Sequence, residues 1–203
     1  MLGRTGSCQD HLSRSLTAFS PERLVEVLDR HGVEYLIVGG VAARAYGASR
    51  QTKDIDCLVR RTRANLDRLA AAMRELHARL RVEGLSDAEA ALLPTQIDAV
   101  TLNAIEISTW RTDAGDLDVL VDIPGRNGER RLYEDLAAAS RDLDYEGIAV
   151  RVAGLSDIIA SKEWVHRPKD LEALPELYEL RDRAARSADD PRAAPESGTS
   201  DSP

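Results

Sequence analysis

The stretch YLIVGGVAARAYGASRQTKDIDCLV, Tyr35 to Val59, decides how this chain folds. Val33 to Val38 is almost wholly apolar, which fits a central strand. Gly39-Gly40 ends that run, and two missing side chains let another group approach the backbone closely. Val41 to Tyr46 reads as a short helix whose first N–H groups are free to meet an anion. Ile55 to Val59 is the next strand. Positions i and i+2 of a strand share a face, so Asp54 and Asp56 project together while Ile55 and Cys57 turn to the core.

Two carboxylates side by side repel, and one protonates unless a cation lies between them. Hard oxygen donors suit Mg²⁺ or Mn²⁺, with triphosphate oxygens adding further ligands. A third carboxylate would support a two-metal displacement. The run GDLDVLVD, Gly115 to Asp122, supplies one. There Leu117, Val119 and Val121 alternate with Asp116, Asp118, Leu120 and Asp122, and Asp118 is the candidate third ligand. A lone D-x-D is common in sequences without any metal. Gly-Gly after an apolar strand, D-x-D opening a second and Asp on a third is hard to obtain from packing alone.

Outward from this centre, Ser20-Pro21 opens a helix with a capping hydroxyl and a proline at its first position. Leu24, Val27 and Leu28 give it an apolar stripe, and Thr62 to Arg81 is expected as the longest helix, with Leu66, Leu69, Met73, Leu76 and Leu80 at helical spacing. Residues 85 to 100 allow one or two helical turns. Ile105 to Thr112 and Leu117 to Ile123 read as paired strands joined by Asp113-Ala114-Gly115. Arg131 to Ser140 reads as a helix and Ile148 to Val152 as a strand. Helices Leu155 to Val165 and Lys169 to Arg183 follow, punctuated by Pro168. The fold class is α+β: a mixed sheet flanked by helices, with a helical C-terminal portion from about residue 155. Residues 20–183 form a single domain, 1–19 a flexible leader, and the Ser-, Pro- and Asp-rich residues 184–203 a disordered tail.

With 43% hydrophobic and 31% charged residues in 203, the composition is that of an ordinary soluble protein. No apolar run is long enough to cross a bilayer, and the first residues lack the apolar stretch of a secretory signal, so no membrane partner and a cytoplasmic location are expected. Cys8 and Cys57 are expected to be reduced, and the scattered His11, His31, His77 and His166 share no zinc-ligand spacing with them. A net charge of -8 argues against coating nucleic acid by bulk electrostatics, but leaves room for a local basic groove. Arg60, Arg61, Arg63, Arg68 and Arg74 form one candidate basic edge, and Arg126, Arg130 and Arg131 another; a solvated face explains either equally well. At 4% aromatic residues a broad stacking platform for single strands is not expected.

The motifs resemble those of the DNA polymerase beta-type nucleotidyltransferase superfamily, and within it the AbiEii-like and MenT-type toxins of bacterial toxin–antitoxin systems. Gly39, Gly40, Arg50, Thr52, Asp54 and Asp56 resemble the G-[GS]…R-x-[ST]-x-D-x-D element. Gly115, Leu117 and Asp118 resemble the G-x-[IL]-D strand. Ser161-Lys162 and Arg167-Pro168-Lys169-Asp170-Leu171 resemble the late lysine and R-x-K-D-L elements. One departure is that the usual Gly-Ser is Gly-Gly here, with Thr52 or Ser49 as possible replacements for the missing hydroxyl.

The resemblance implies Asp54, Asp56 and Asp118 as metal and catalytic residues. It implies Gly39, Gly40, Arg50, Thr52, Lys162 and Asp170 at the nucleotide, with Lys162 also catalytic. Lys162 lies among Ile158, Ile159 and Trp164, so its ammonium can reach a phosphate from an apolar wall. Asp170 is either a further functional carboxylate or the N-terminal charge of the last helix. The implied reaction uses Mg²⁺ or Mn²⁺ to transfer a nucleoside monophosphate from a triphosphate to the 3′ end of transfer RNA, with the pyrimidine triphosphates that this family often prefers. The implied partners are the tRNA acceptor end and a cognate antitoxin. Rival readings are transfer to a small molecule or protein side chain, and a non-catalytic antitoxin or scaffold of the same fold.

Overall fold

The computed structural model describes residues 19–90, 92–93 and 95–188. Helix α1 (Pro21–Arg30) leads into strand β1 (Tyr35–Val38), helix α2 (Gly39–Ala45), strand β2 (Asp54–Val59) and helix α3 (Arg63–Glu75). A short strand β3 (Arg79–Leu80) and helices α4 (Asp87–Ala90) and α5 (Ala99–Ala104) precede the hairpin β4 (Ile107–Thr112) and β5 (Gly115–Leu120). Next come β6 (Ile123–Pro124), β7 (Arg130–Arg131), α6 (Tyr133–Ala137), β8 (Arg141–Tyr145) and β9 (Ile148–Val152). Two helices close the described chain, α7 (Leu155–Val165) and α8 (Pro168–Ala188).

Seven strands form one mixed sheet in the order β3-β4-β5-β2-β1-β9-β8. The apolar β1 sits near its middle, antiparallel to β2 and parallel to β9, while β2 runs parallel to β5. Strand alternation does the sorting. Ile55, Cys57, Leu117, Val119 and Trp110 are 3% exposed or less, and one buried cluster joins them to Leu24 and Leu28 of α1 and Leu66, Leu69 and Met73 of α3. Each such side chain contributes about 1.5–3 kcal/mol by leaving water.

Several expectations change. The helix expected to reach Arg81 stops at Glu75, because His77 adopts φ 50 and turns the chain out into β3. His77 N–H donates to Arg74 O (3.1 Å) and Ala78 N–H to Met73 O (2.9 Å), the paired bonds of a Schellman cap. Among the described residues the longest helix is therefore α8. Ser20 makes no side-chain cap; its backbone N–H instead bonds Ala114 O at 2.9 Å. The expected helix over Arg131 to Ser140 is reduced to α6, and Arg130–Arg131 pair as a strand with β6. The edge strand β8 is an addition to the sequence reading. Helix α8 continues to Ala188, into the segment expected as disordered tail, while the rest of that tail and residues 1–18 of the leader lie outside the described residues. No described helix is long and apolar enough to cross a membrane.

Candidate active site

Four carboxylates meet on one face of the sheet because β2 and β5 are in parallel register, Asp54 opposite Asp116 and Asp56 opposite Asp118. Asp116 is paired with two arginines, Arg81 at 2.9 Å and Arg111 at 3.1 Å from its oxygens. The other three line one cavity. Oδ1 of Asp118 is buried and has no hydrogen-bond partner among the described residues, while the Thr109 hydroxyl on β4 bonds the same carboxylate. The Thr52 hydroxyl donates to Asp54 Oδ1 at 2.7 Å.

The two glycines have separate tasks. Gly39 adopts φ +62, and a Cβ on it would lie 1.9 Å from Asp56 Oδ2. A Cβ on Gly40 would lie 2.6 Å from Thr52 Oγ1. The close approach expected at Gly-Gly is thus made from inside the protein. The Gly40 N–H, expected to face an anion, donates to Asp56.

Burial pushes the Asp56 carboxyl up to about 6, and the neighbouring charges of Asp54 and Asp118 add to the effect. Burial also raises Asp118, with Asp54 and Asp116 contributing. A cation beside them would relieve all of these penalties. Hard oxygen donors, an orphaned buried oxygen and a glycine that leaves Asp56 room together fit a Mg²⁺ or Mn²⁺ site. Among the described residues no three such side chains already converge as a closed ligand cluster.

Two cavities adjoin here and share Gly39, Asp56, Lys162, Arg167 and Asp170. The larger, about 380 Å³, holds the three carboxylates with Arg50, Lys53 and Lys169 around them. The smaller, about 280 Å³, has apolar walls from Ile107, Leu120, Ile123, Pro124, Ile158 and Val165, with Asp122 and Ser161 as polar points.

A sharp helix junction builds the shared wall. His166 takes a left-handed conformation (φ 58) that ends α7, and Pro168 starts α8. Lys162 and Asp170 then face each other, Nζ to Oδ1 at 3.1 Å, and Arg167 Nε reaches Oδ2 at 2.6 Å. Asp170 is only 1% exposed. Burial alone would raise its carboxyl, but hydrogen bonds from Arg167 and Lys162 outweigh that and hold it below the usual carboxylate range. Asp170 thus fixes two cations rather than joining the sheet carboxylates. Arg50 stands at the rim, bonded to Glu172 (2.8 Å) and to the carbonyl of Lys169 (3.3 Å).

None of the arginines of the basic edges proposed from sequence lines the carboxylate cavity. Arg60 and Arg68 pair with Glu34, Arg63 with Asp67, Arg61 with Asn103, and Arg74 with the carbonyl of Ile97. Arg130 and Arg131 pair with Asp122 and Asp157. Of the two tryptophans, Trp110 is core, whereas Trp164 is 54% exposed and lies against Gly128. Sequence reasoning missed Lys53, Thr109 and the pairing of Asp116 with Arg81 and Arg111. Arg81 was hidden by reading β3 as the end of a helix.

Among solved structures, the chain is similar to the antibiotic-resistance factor ANT(2'')-Ia in solution, at 16% identity and TM-score 0.49, covering 82% of this chain and 90% of that one. The crystal structure of ANT(2")-Ia with adenylyl-2"-tobramycin gives 17% identity and TM-score 0.47 over 82% of this chain and 94% of that one. A Thermotoga maritima protein described as a nucleotidyltransferase gives 14% and 0.45, covering 80% of this chain and 96% of that one. No curated protein matches the chain. The family model of the nucleotidyl transferase AbiEii toxin of type IV toxin–antitoxin systems matches residues 24–171, which include every candidate site residue. The chain is therefore a nucleotidyltransferase and belongs to the AbiEii toxin family.

Proposed function

We propose that the protein transfers a nucleoside monophosphate from a nucleoside triphosphate, by preference a pyrimidine one, to the 3′ end of transfer RNA and so blocks translation. The observation that carries the site assignment is the lateral register of Asp54 and Asp56 with Asp118, at the junction of a cation-lined cavity and an apolar one. The RNA acceptor and the pyrimidine preference are supported by the resemblance of the motifs to MenT-type toxins. A cognate antitoxin is the corresponding protein partner.

Asp54, Asp56 and Asp118 would hold Mg²⁺ or Mn²⁺, which when bound supplies charge neutralisation at the phosphates and lowers the proton affinity of the attacking hydroxyl. The Asp118 carboxylate, which lines the same cavity, helps to activate the acceptor hydroxyl and takes up its proton. The new bond joins that oxygen to the α-phosphorus, and the bond to the β-phosphate oxygen breaks. Pyrophosphate leaves against Lys162, held in place by the buried Asp170, with Arg167 and Lys169 nearby. Thr52 keeps Asp54 oriented through its 2.7 Å hydrogen bond. The apolar cavity offers a dry slot for the base of the nucleotide.

Incubation with each α-labelled triphosphate, Mg²⁺ and total RNA tests the proposal. Label is expected in RNA of transfer-RNA size, most strongly from CTP or UTP, and reduced at least about 100-fold by Asp54→Ala. Absence of labelled RNA with the wild type, or equal labelling by the variant, overturns it. Growth arrest on expression, relieved by the product of a neighbouring gene, is the expected cellular counterpart.

A further inference from the structure

The run Gly115 to Asp122 holds three aspartates, and two of them already have a place. Asp116 is paired with Arg81 and Arg111, and Asp118 lines the carboxylate cavity. Asp122 lies past the end of β5 and lines the other cavity, whose walls are largely apolar. Asp56 and Asp170 are the other carboxylates there, and both are engaged. Asp56 accepts the Gly40 N–H, and Asp170 holds Lys162 and Arg167. Asp122 is engaged through one oxygen. Arg130 Nε donates to its Oδ2 at 2.5 Å, and among the described residues no hydrogen bond reaches its Oδ1. Its place in the chain is fixed on both sides. The Val121 N–H bonds the Glu106 carbonyl at 3.0 Å, and Ile123 and Pro124 pair with β7. Arg130 is itself anchored to Glu106 at 3.1 Å. With Arg130 57% exposed, this ion pair adds little to stability. A carboxylate oxygen in an apolar wall, by contrast, gives up water without gaining a donor.

We propose that Asp122 selects the base of the nucleoside triphosphate by accepting a hydrogen bond from the exocyclic amino group of cytosine or adenine. This rests on the reading of the apolar cavity as the slot for the base. That cavity shares Lys162, Arg167 and Asp170 with the carboxylate cavity, so a triphosphate held at the shared wall can place its base in the apolar one. An ionised carboxylate only accepts. Cytosine and adenine present an amino donor where uracil and guanine carry a keto oxygen. A keto oxygen facing Asp122 would set two acceptors against each other and leave both without a donor. Apolar walls take the face of any base, and the Ser161 hydroxyl donates or accepts, so neither discriminates. Lys162 and Arg167 are donors, but both are bound to Asp170 at the shared wall. Asp122 is therefore the specificity-determining residue. Combined with the pyrimidine preference proposed above, its chemistry favours CTP over UTP.

The full chain with Mg²⁺ and total RNA is assayed with each triphosphate, and calorimetry measures binding of non-hydrolysable CTP and UTP analogues, which needs no acceptor. The wild-type kcat/KM for CTP is expected to exceed that for UTP by about tenfold or more, with affinities in the same order. Asp122→Asn keeps an acceptor for Arg130 in its amide oxygen and presents an NH₂ donor in place of Oδ1. Its preference should turn towards UTP, whereas Asp122→Ala should use the two nearly equally. Loss of a negative charge strengthens binding of any triphosphate, and the CTP-to-UTP ratio cancels that effect. Ser161→Ala should change both rates by the same factor. If the variants fold poorly, the wild type decides: the triphosphate of 2-pyrimidinone riboside, which lacks the amino group, should fall well below CTP. ATP used in preference to GTP, with both pyrimidines used poorly, keeps the amino-group readout with adenine as its source and overturns the pyrimidine preference. UTP used as well as CTP together with GTP as well as ATP, or a CTP-to-UTP ratio unmoved by Asp122→Asn, overturns the inference alone. A wild type that binds and turns over no triphosphate overturns the reading of the cavities, and the role of Asp122 with it.

Discussion

Gly39 is held by two independent demands, a left-handed φ of +62 and the Asp56 carboxylate 1.9 Å from where a Cβ would stand. The first costs an alanine about 1–2 kcal/mol. The second cannot be met without moving Asp56 from its place beside Asp118. Gly39→Ala is therefore expected to lower the thermal midpoint by about 2–8 °C and also to abolish most of the stabilisation that Mg²⁺ confers on the wild type. A midpoint that falls while its Mg²⁺ response stays intact would separate the glycine from the metal site and refute this account. Gly40 explains the departure from the superfamily's Gly-Ser. Thr52 Oγ1 lies 2.6 Å from the Cβ a serine would bring, so the threonine hydroxyl already fills that space, bonded to Asp54. The sequence made a close approach at Gly-Gly legible, but not its partners, since those are set by how β2 and the preceding segment fold back.

Elements whose hydrophobic period and end markers agree were readable. Helix α7 matches its expected bounds, and β1 and β2 fall where continuous apolar runs put them, whereas the strand expected over Leu117 to Ile123 starts at Gly115, ends at Leu120 and leaves Ile123 to β6. Asp54, Asp56 and Asp118 could be assigned to one site because alternation within a strand is local. The pairing of Asp56 with Asp118 is not local, and neither is the capture of Asp116 by Arg81 and Arg111. Strand β3 failed for a specific reason. Leu76 and Leu80 keep helical spacing from Leu66, Leu69 and Met73, so periodicity continues through a turn that only backbone geometry reveals. The residue in the left-handed cap position is His77, not the glycine that usually marks such a stop. His77→Gly should therefore stabilise the protein by about 0.5–1 kcal/mol, since glycine removes the left-handed penalty. The ion pair of His77 with Asp113 is lost in the process, but the histidine side chain is 72% exposed and the pair adds little. His77→Ala should bring no gain. Denaturant unfolding of both variants decides it: a continuous helix through position 77 would reverse the order, with alanine better than glycine by about 1 kcal/mol.

At the scale of the whole molecule, the net charge of -8 is in part the signature of a site that concentrates carboxylates. Without a cation they oppose folding, and Asp56 carries the clearest share. Its folded pKa, about 6, lies above the unfolded value because burial, Asp54 and Asp118 disfavour the anion. Between the two values the folded state binds more protons than the unfolded state, so stability falls as pH rises through that window. The total is on the order of 2–3 kcal/mol. Asp56→Asn removes the titration and keeps the shape. Without metal, the variant is expected to be more stable than the wild type at pH 7.5, by several degrees of thermal midpoint, with the difference closing as pH is lowered from about 6 towards 4. Added Mg²⁺ should invert the order at pH 7.5, raising the wild-type midpoint and leaving the variant nearly unmoved, because the ion stabilises the form that holds all three carboxylates. The inversion should fade as protons displace the metal below pH 6. A wild-type-minus-variant difference that stays flat from pH 4 to 7.5, with no response to Mg²⁺ in either protein, would remove the basis for a metal site at these strands.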